Sequence, residues 1–438
     1  MTENRPVSVA DMLRARDERA ARQRALLEQY RLPVISFTMN VAGSIKLDAD
    51  IERAFQEGLE KIERYLQRRR WTAAHFEQKT VFTGCEALWA VQTAADELKA
   101  AMCLLEEADA LGRLFDIDVI DEQGVHLSRG NERSCIICGG PVRACARSRT
   151  HSAEELFAKT KQIIHEYFSL AFVRRVGETA QRALLYEALT TPKPGLVDCD
   201  NSGAHSDMDL FSFADSACAL RNYFEDCVRL GMQDAPLQQL QYAGILAEER
   251  MLEAVGVNTH KGAVFSLGIL CYAMGSCGED ASQEAVLKKA AEAGAYFLAQ
   301  MKTAGQIRTG GERQYHQYGL TGARGETASG FKSVTAIALP ALQSVLAEGK
   351  PLHEAGLAAL LALMAQVYDS NIIRRAGMEG QQWVMAQAGQ LLQNGWTTDD
   401  LRALDRRFIE RHISPGGSAD LLAVTYFLHF LCKGENEV

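Results

Sequence analysis

Apolar positions along the first 170 residues change their spacing several times. Helical spacing predicts helices over residues 9–30 and 48–68. Residues 33–41 alternate between apolar and polar as a half-buried strand does. Residues 114–120 and 124–128 predict two more strands, joined by a tight turn. This mixture predicts an α+β domain.

Beyond about residue 170 the strand signal fades, and a helix that resumes at His151 is expected to carry the chain into a different kind of domain. Several Ala-, Leu- and Gln-rich stretches have helix-forming compositions: 179–189, 208–230, 237–254, 263–275, 283–302, 355–369 and 381–394. A chain of 438 residues also exceeds one ordinary hydrophobic core. The predicted fold class is multidomain, with a boundary within 165–178: an α+β domain at 1–172, then an all-α domain at 173–438.

Composition narrows the classes of function. The net charge of -9 argues against a general nucleic-acid binder, because such proteins neutralise phosphates with excess Lys and Arg. The first 27 residues carry charges where an export signal needs an apolar run. The apolar stretch 262–278 is short and broken by Gly and Ser, which predicts a core helix rather than a membrane span. Eleven cysteines, an odd number, fit reduced thiols. We expect a cytoplasmic protein whose partners include neither nucleic acid nor membrane.

Residues 112–119, GRLFDIDV, hold the sharpest local feature. Asp116 and Asp118 stand at i and i+2 on a predicted strand and so project from the same face. Two carboxylates placed in this way can bind Mg²⁺, which bridges to substrate phosphates. Nucleotidyl transfer uses a metal-bound triphosphate from which diphosphate leaves. The alternative is a strand edge with two solvated carboxylates.

A basic segment that contains cysteines follows this strand. Its basic residues suit phosphate binding: Arg133, Arg143, Arg147, Arg149 and His151. Four residues of the segment could also ligate zinc: Cys135, Cys138, Cys145 and His151. The Cys-x-x-Cys spacing fits, but the other spacings match no common zinc module closely, and a cluster of reduced thiols is the plainer interpretation.

The first 170 residues resemble the apo-citrate lyase phosphoribosyl-dephospho-CoA transferase family. The resemblance lies in four ordered motifs: MNVAGSIK (39–46), FTGCEA (82–87), GRLFDIDV (112–119) and RSCIICGGPVRACARSRTHSAEEL (133–156). It implies a nucleotidyltransferase-like domain that transfers phosphoribosyl-dephospho-CoA to a serine of the citrate lyase acyl carrier (gamma) subunit and releases diphosphate. It also implies Mg²⁺ at Asp116 and Asp118, and phosphate contacts from Lys46, Arg113, Arg147 and Arg149. The sequence departs from the family pattern at 40–43, which leaves the turn before Lys46 open.

The all-α half carries polar islands that a plain helical bundle does not need. The first island, 191–209, crowds one loop with charged groups: Lys193, Asp198, Asp200, His205, Asp207 and Asp209. Asp207 is predicted to cap the helix that begins near Met208. A cap accounts for only one carboxylate, so the other charged residues of this loop are candidates for a chemical role.

Two further islands suit anion binding. Residues 256–268 place Asn258, His260 and Lys261 directly before an apolar helix, whose free N–H groups can bind an anion. The alternative there is a capped helix with a solvated lysine. Residues 310–330 predict a long Gly-rich loop, a feature that is more often functional inside a compact helical domain. The charged residues of this loop are Glu312, Arg313, Arg324 and Glu326.

The last two islands are shorter. Residues 369–377 place Asp369, Arg374 and Arg375 after a helix. Residues 414–425 form a Pro-Gly-Gly turn that leads into a helix beginning with Ser418 and Asp420, and capping alone could account for these two.

Taken in order, the five islands resemble the triphosphoribosyl-dephospho-CoA synthase family over nearly all of residues 175–430. That family implies that the ribose 2′-hydroxyl of 3′-dephospho-CoA attacks C1 of the ATP ribose; adenine leaves and the triphosphate stays, with Mg²⁺ expected on it. Such a glycosyl transfer needs a base and an acid, for which the candidates are Asp198, His205, Asp207, Asp209, Glu312 and Glu326. Candidate phosphate or nucleotide contacts are Lys193, His260, Lys261, Arg313, Arg324 and Arg374. His205 and His260 could equally be buried hydrogen-bonding residues.

The two resemblances interlock, because the product implied for the second half is the substrate implied for the first. They predict a bifunctional transferase that makes the prosthetic group of citrate lyase and attaches it. Two alternatives stay open: the same chemistry serving malonate decarboxylase, and a carrier-protein-binding module with one active half. Both aspartates and all five islands stand in the chain, which argues against the second alternative.

Overall fold

The computed structural model describes residues 5–303 and 310–432. The chain forms two compact units, Met1–Ala171 and Phe172–Val438. The division falls inside one long helix, Ala153–Leu189, which we call α5. The first unit contains a small antiparallel sheet and the second is built from helices, so the predicted multidomain class is correct at this level.

The sheet of the first unit has four antiparallel strands. They are β1 (Val34–Met39), β2 (Thr72–Val81), β3 (Gly84–Gln92) and β4 (Phe115–Ile120), in the spatial order β2-β3-β1-β4. The helices of this unit before α5 are α1 (Val9–Tyr30), α2 (Ala49–Arg69), α3 (Ala95–Glu107) and the short α4 (Val142–Ser148). The predictions for α1, α2, β1 and β4 are confirmed to within a residue or two.

Three features of this unit differ from the sequence-based expectations. The hairpin β2-β3 was not predicted, because β2 is rich in polar residues and its hydrophobic alternation is weak. Residues 124–128 are not a strand: only an isolated bridge joins Ile120 to His126. The carboxylate of Asp121 accepts the N–H groups of Gln123 and Val125, and these bonds hold the segment as a local turn. The helices α3 and α4 were also missed.

The two faces of the sheet differ in chemistry. One face packs Ile35, Phe37 and Trp89 against α2, with Phe37 stacked on Phe55 at 4.8 Å between ring centroids. The other face is covered in part by α1, through a small cluster that includes Leu26 and the strand residues Val34, Leu88 and Ile120. This second face also carries most of the polar strand residues of the sheet.

The described part of the second unit contains helices and no strand. Beyond α5 they are α6 (Leu210–Met232), α7 (Leu237–Val255), α8 (Lys261–Cys277), α9 (Gln283–Thr303), α10 (Gly310–Tyr318), α11 (Gly322–Ala328), α12 (Leu339–Ala347), α13 (Leu352–Gln366), α14 (Ser370–Asn394), α15 (Thr398–Glu410) and α16 (Gly416–Cys432). The all-α prediction for this half is confirmed. The long loop predicted at 310–330 is wrong where the structure describes it, because α10 and α11 occupy most of it.

Helix α8 lies in the core of the second unit, as the apolar stretch 262–278 predicted. It crosses α6 closely, since a Cβ added at Gly231 of α6 would lie 2.0 Å from the carbonyl oxygen of Tyr272. Among the described residues no single helix combines the length and apolar character needed to cross a membrane. The bent pair Leu352–Gln366 and Ser370–Asn394 meets that test only when both helices are counted together.

Candidate functional site

The structure places Asp116 and Asp118 on one face of the edge strand β4. Burial alternates along β4, so that Asp116 and Asp118 are exposed while the residues between and beside them are buried. Across the ladder, Asp116 pairs with Thr38 and Asp118 pairs with Ser36 of β1. The two carboxylates therefore share the polar face of the sheet, opposite the main core of the unit.

The aspartates repel each other electrostatically. Solvent reaches Asp116, yet the surrounding protein limits its hydration and raises the pKa of its carboxyl; the carboxylate of Asp118 adds to this rise, and Arg133 opposes it. Two neighbouring negative charges in such a setting are stabilised by a bound cation. The arrangement suits a divalent metal ion that carries a polyphosphate.

Helix α1 supplies arginines to the same face of the sheet, which sequence reasoning missed. Arg19 donates to the buried carboxylate of Glu86 at 3.0 Å, and Arg22 pairs with both Glu86 and Glu77. The charge of Arg19 also acts on Asp116. No sequence signal could place these residues, because their pairing depends on how α1 crosses the sheet.

The arginines around β4 hold the segment that follows the strand. Arg133 donates to the carbonyl of Phe115 at 2.8 Å and pairs with the buried Glu106. Arg113 donates to the carbonyl of Ser134 at 2.6 Å and to its hydroxyl at 3.1 Å. These bonds fix the start of the cysteine-containing segment beside the aspartates, so Arg113 has a structural bond besides its predicted phosphate contact.

The other predicted phosphate contacts of the first unit differ in exposure. Lys46 is half-buried and donates to the carbonyl of Val41, and burial lowers the pKa of its ammonium. Arg147 lies on α4 and Arg149 ends that helix in the left-handed conformation; both side chains are exposed. The structure does not bring Arg147 or Arg149 into a contact with the aspartate pair.

In the second unit, the loop 191–209 is organised around two buried groups. Lys193 has no exposed surface, and its ammonium donates to the carbonyl of Glu187 at 2.6 Å and pairs with the Glu187 carboxylate. Asp198 accepts the N–H groups of Lys193, Asp200 and Asn201. Burial raises the pKa of Asp198, and these N–H groups oppose the rise. Asp198 thus holds the loop in shape.

The predicted cap of the following helix is wrong. Asp209, not Asp207, caps α6: its carboxylate accepts the N–H of Ser212 at 2.9 Å in a capping box. The helix begins at Leu210, two residues beyond the predicted Met208, because the Asp209–Ser212 pair satisfies the first turn. Asp207 is exposed instead and lies 3.8 Å from the imidazole of His205.

His205 lies between residues of two other islands. Its Nε2 is 2.8 Å from the hydroxyl of Ser414, and its Nδ1 is 3.4 Å from the guanidinium of Arg375. Burial lowers the pKa of His205, and the charge of Arg375 adds to this. The neighbouring Arg374, which sequence reasoning chose, is exposed and donates to Asn371 at 3.5 Å.

At the start of α8, the side chain of His260 is buried and that of Lys261 is exposed. The Nδ1 of His260 is 2.8 Å from the hydroxyl of Ser216, while its Nε2 is buried with no hydrogen-bond partner. Burial lowers the pKa of this imidazole to about 3, with a contribution from Lys193, so His260 is neutral near pH 7. Lys261 is exposed and pairs with Glu248 at 2.5 Å.

Two carboxylates link the N-termini of three helices. Asp369 caps α14 and also accepts the N–H of Ser418 in the first turn of α16, at 2.8 Å. Asp420 of α16 accepts the N–H of Ala263 in the first turn of α8, at 2.9 Å. Asp369 therefore begins a helix as well as following one, and Asp420 caps a helix other than its own. Helix N-termini attract negative charge, so their convergence forms an anion-binding setting.

Glycine permits the closest approach in this arrangement. A Cβ added at Gly262 would lie 2.1 Å from Oδ2 of Asp420, a separation that real atoms do not adopt. A Cβ added at Gly417 would lie 3.0 Å from Oδ1 of Asp369, which is closer than most real contacts. The glycines of the second and fifth islands thus let α8 and α16 bring their N-termini together.

Charge coupling ties these groups into one cluster. Burial raises the pKa of Asp420 well above its ordinary value, and the carboxylates of Glu187 and Asp369 add to the rise. Lys193 pairs with Glu187 and also acts on His260. We call Glu187, Lys193, His260, Asp369 and Asp420 the buried charge cluster. Glu187 was missed from sequence, because it lies inside a regular helix and no local motif marks it.

Most of the charged residues of α10 and α11 form ion pairs or hydrogen bonds with nearby segments of the chain. Glu312 is buried and pairs with Arg324 at 3.4 Å. Glu326 accepts the N–H of Ser333 at 2.7 Å and its hydroxyl at 2.8 Å, which caps the helical turn that follows. Arg313 is exposed. Within the described residues, no contact joins Glu326 or Arg313 to the buried charge cluster.

Known protein families match both units. The family described as ATP:dephospho-CoA triphosphoribosyl transferase (CitG) matches residues 173–438. The family described as apo-citrate lyase phosphoribosyl-dephospho-CoA transferase (CitX) matches residues 7–167. The order of the two matches along the chain is that of the two resemblances described from sequence.

Individual relatives agree with these matches. The chain is 34% identical to "Protein CitXG" of Haemophilus influenzae, over 98% of this chain and 97% of that protein. It is 41% identical to a probable 2-(5''-triphosphoribosyl)-3'-dephosphocoenzyme-A synthase of Pectobacterium carotovorum, over 62% of this chain and 94% of the relative. A protein of the same description from Vibrio cholerae is 43% identical, over 59% of this chain and 89% of its own length.

A crystal structure of a putative triphosphoribosyl-dephospho-coA synthase from Archaeoglobus fulgidus aligns with a TM-score of 0.35 and 16% identity, over 49% of this chain and 96% of that one. This likeness is too weak to carry an argument about the fold. The family matches and the full-length relative do carry the assignment: the chain belongs to the ATP:dephospho-CoA triphosphoribosyl transferase family, joined as in CitXG to an N-terminal apo-citrate lyase phosphoribosyl-dephospho-CoA transferase half.

Proposed function

We propose that this chain is a bifunctional transferase that makes and attaches the prosthetic group of citrate lyase. The second half converts ATP and 3′-dephospho-CoA to 2′-(5″-triphosphoribosyl)-3′-dephospho-CoA and releases adenine. The first half transfers the phosphoribosyl-dephospho-CoA group to a serine of the citrate lyase acyl carrier subunit and releases diphosphate. The observation that carries this proposal is the nearly full-length match to a CitXG protein.

In the second half we assign the chemistry to the buried charge cluster. The 2′-hydroxyl of dephospho-CoA must lose a proton as it attacks C1 of the ATP ribose, and a carboxylate of raised pKa is a suitable base. Asp420 has such a pKa and is the one member of the cluster that keeps some solvent exposure, so substrate can reach it. The helix N-termini beside it suit the triphosphate, with Mg²⁺ as its counter-ion.

The other candidates of the second half receive roles that follow from their contacts. His205, held between Ser414 and Arg375 with Asp207 beside it, is proposed to contact the departing adenine as a neutral imidazole, since its pKa is lowered. Asp198 and Glu326 are proposed to shape the site, because both oxygens of each carboxylate already accept hydrogen bonds. Of the phosphate or nucleotide contacts proposed from sequence, Lys193 and His260 are members of this cluster.

In the first half, Asp116 and Asp118 are proposed to hold Mg²⁺ on the triphosphate. The metal would neutralise the diphosphate leaving group while the carrier serine attacks the α-phosphorus. Lys46, Arg113, Arg147 and Arg149 remain the proposed phosphate contacts. A nucleotidyltransferase-like fold is part of this proposal, supported by the carboxylate pair on the open face of a small sheet.

The two half-reactions fit together chemically. The second half keeps the triphosphate on the new ribose, and the first half expels diphosphate from that same triphosphate. The proposed partner is the citrate lyase acyl carrier, and the proposed compartment is the cytoplasm, where cysteines stay reduced. Service to malonate decarboxylase would need the same intermediate but a different carrier.

The proposal is tested by assaying the second half alone and then supplying its product, so that the first half can work without it. We expect Asp420→Asn to lower adenine release from ATP, Mg²⁺ and dephospho-CoA by about 10²–10⁴-fold, the usual contribution of a general base. The same variant should label apo carrier normally when purified triphosphoribosyl-dephospho-CoA is supplied. Unchanged adenine release would remove Asp420 from the chemistry, and absence of adenine from the wild-type reaction would remove the second activity altogether.

A further inference from the structure

The cysteine-containing segment of the first unit brings four metal-binding side chains together. One ligand atom from each of Cys135, Cys138, Cys145 and His151 lies within 4.8 Å of every other. A tetrahedral zinc ion with Zn–S bonds of about 2.3 Å separates its ligand atoms by roughly 3.8 Å. The four atoms therefore need to move by only a fraction of a bond length to enclose one ion.

The backbone around the first two cysteines is already folded for metal binding. Cys135 donates its N–H to the carbonyl of Gly140, and Gly139 donates back to the carbonyl of Cys135. This tight turn requires the left-handed conformation that Gly139 adopts, with φ of 73°. The turn holds Cys135 and Cys138 in the Cys-x-x-Cys arrangement that is common in structural zinc sites.

His151 supplies an independent observation. Its Nε2 is buried and has no hydrogen-bond partner. A buried polar nitrogen without a partner costs free energy unless something satisfies it. A metal ion among the three nearby sulfurs would do so, since neutral imidazole nitrogen is a common zinc ligand.

The remaining contacts favour a metal over a plain thiol cluster. The sulfurs of Cys138 and Cys145 are 3.4 Å apart, too far for a disulfide bond and close to the spacing of two ligands on one ion. Three thiolates around Zn²⁺ leave one net negative charge, and the same segment carries Arg143, Arg147 and Arg149. Hydrophobic packing is sparse here, because no residue of α4 is buried.

We propose that Cys135, Cys138, Cys145 and His151 bind a structural zinc ion. The ion would hold together residues 133–151, a stretch too polar to fold around a core of its own. Arg133 and Arg113 tie the start of this stretch to β4, so the zinc module would also fix the surroundings of Asp116 and Asp118. All four ligands are used and no open position is needed, which makes the role structural.

The test is the metal content of the full chain, measured by mass spectrometry of metals after purification under reducing conditions. We expect roughly one zinc per chain, as four-ligand structural sites bind. Cys138→Ser and Cys145→Ser should each lower that content several-fold. Cys103→Ser, which changes a partly exposed cysteine of α3 in the same unit, should leave it unchanged.

A second readout covers the case in which a variant fails to fold. Wild-type chain stripped by a chelator and refilled with Co²⁺ should show a thiolate-to-cobalt charge-transfer band and the strong visible bands of tetrahedral coordination. Absence of zinc together with absence of these bands would overturn the proposal. Zinc that persists in the Cys138→Ser and Cys145→Ser variants would also overturn it, because the ion would then lie elsewhere.

Discussion

Asp116 and Asp118 give the first half its defining chemical feature, two carboxylates on the exposed face of an edge strand. Because a shared metal ion would need both, we expect Asp116→Asn and Asp118→Asn each to lower carrier labelling by at least about 10²-fold, the scale of losing a positioned charge in an active site. Adenine release should continue at the wild-type rate. Mass spectrometry of the carrier and chromatography of adenine measure the two reactions.

Asp96→Asn is the matched control for the aspartate pair. It changes an exposed carboxylate in the first turn of α3, in the same unit. We expect both activities to survive that change. Loss of both activities in a folded Asp116→Asn or Asp118→Asn variant would contradict separate sites.

His260 gives a prediction about pH. Burial lowers the pKa of His260 to about 3, below its ordinary value near 6.5, so the folded chain binds this proton less readily than the unfolded chain. Stability from this group is therefore complete above about pH 6.5 and is lost as the pH falls from there toward about 3. At pH 5 the loss is about 2 kcal/mol.

The variant His260→Gln removes the titration while keeping a hydrogen-bonding side chain near Ser216. We expect the free energy of unfolding in urea to fall less between pH 7.5 and pH 5 in this variant than in the wild type, by about 2 kcal/mol. An identical fall in both proteins would show that His260 is not buried as a neutral group.

At the scale of elements, the second half depends on how closely α8 approaches α16. Ala at position 262 would place its Cβ 2.1 Å from Asp420 Oδ2 and would push that carboxylate away from the N–H of Ala263. Since a displacement of about 1 Å in an active site can cost 10²-fold in rate, we expect Gly262→Ala to lower adenine release on the order of 10²-fold. Carrier labelling from supplied triphosphoribosyl-dephospho-CoA should be unaffected.

Gly244→Ala serves as the control for that experiment. Its added Cβ would meet only the hydroxyl of Tyr223, at 3.6 Å, which is an ordinary contact. Ala also favours a helix interior over Gly, so this variant should be as stable as the wild type or more so, by up to about 1 kcal/mol. Wild-type adenine release in Gly262→Ala would show that the approach of α8 to α16 does not position the chemistry.

Sequence patterns predicted elements well where hydrophobic periodicity is strong and poorly where polar residues dominate. α1 and α7 were predicted to within one residue at each end, because their apolar positions repeat regularly. The sequence does not predict β2, because its side chains alternate weakly, and it predicts a loop in place of α10 and α11 because of their glycines. Glycine lowers helix propensity, but tertiary packing overrode that preference here.

For the site residues, the sequence predicted features set by local geometry and missed those set by contacts between distant parts of the chain. The motif around Asp116 and Asp118 gave both their identity and their shared face, since period-2 geometry is local. Glu187 and the role of Asp420 could not be predicted, because each meets its partners through contacts between distant parts of the chain. The prediction of Asp207 as a helix cap was wrong for a local reason, because Asp209 and Ser212 form a reciprocal capping box that starts the helix two residues later.

At the scale of the whole molecule, the proposed function requires one protein substrate, the acyl carrier of citrate lyase. We expect the chain to label the apo acyl carrier of citrate lyase at least 10-fold faster than that of malonate decarboxylase, because a discrimination of about 1.4 kcal/mol needs only one or two favourable contacts. The two carriers are compared under identical conditions with supplied triphosphoribosyl-dephospho-CoA. Equal or reversed rates would favour the malonate decarboxylase alternative.

The fate of each part of ATP distinguishes a chain that both makes and attaches the group from a chain that does only one of these. Wild-type chain is incubated with Mg²⁺, dephospho-CoA and apo carrier, and with ATP labelled in the adenine ring, at the α-phosphorus or at the γ-phosphorus. If one chain makes and attaches the group, the ring label appears as free adenine, the α label becomes bound to the carrier, and the γ label leaves as diphosphate. Ring label or γ label found on the carrier would contradict this two-step route.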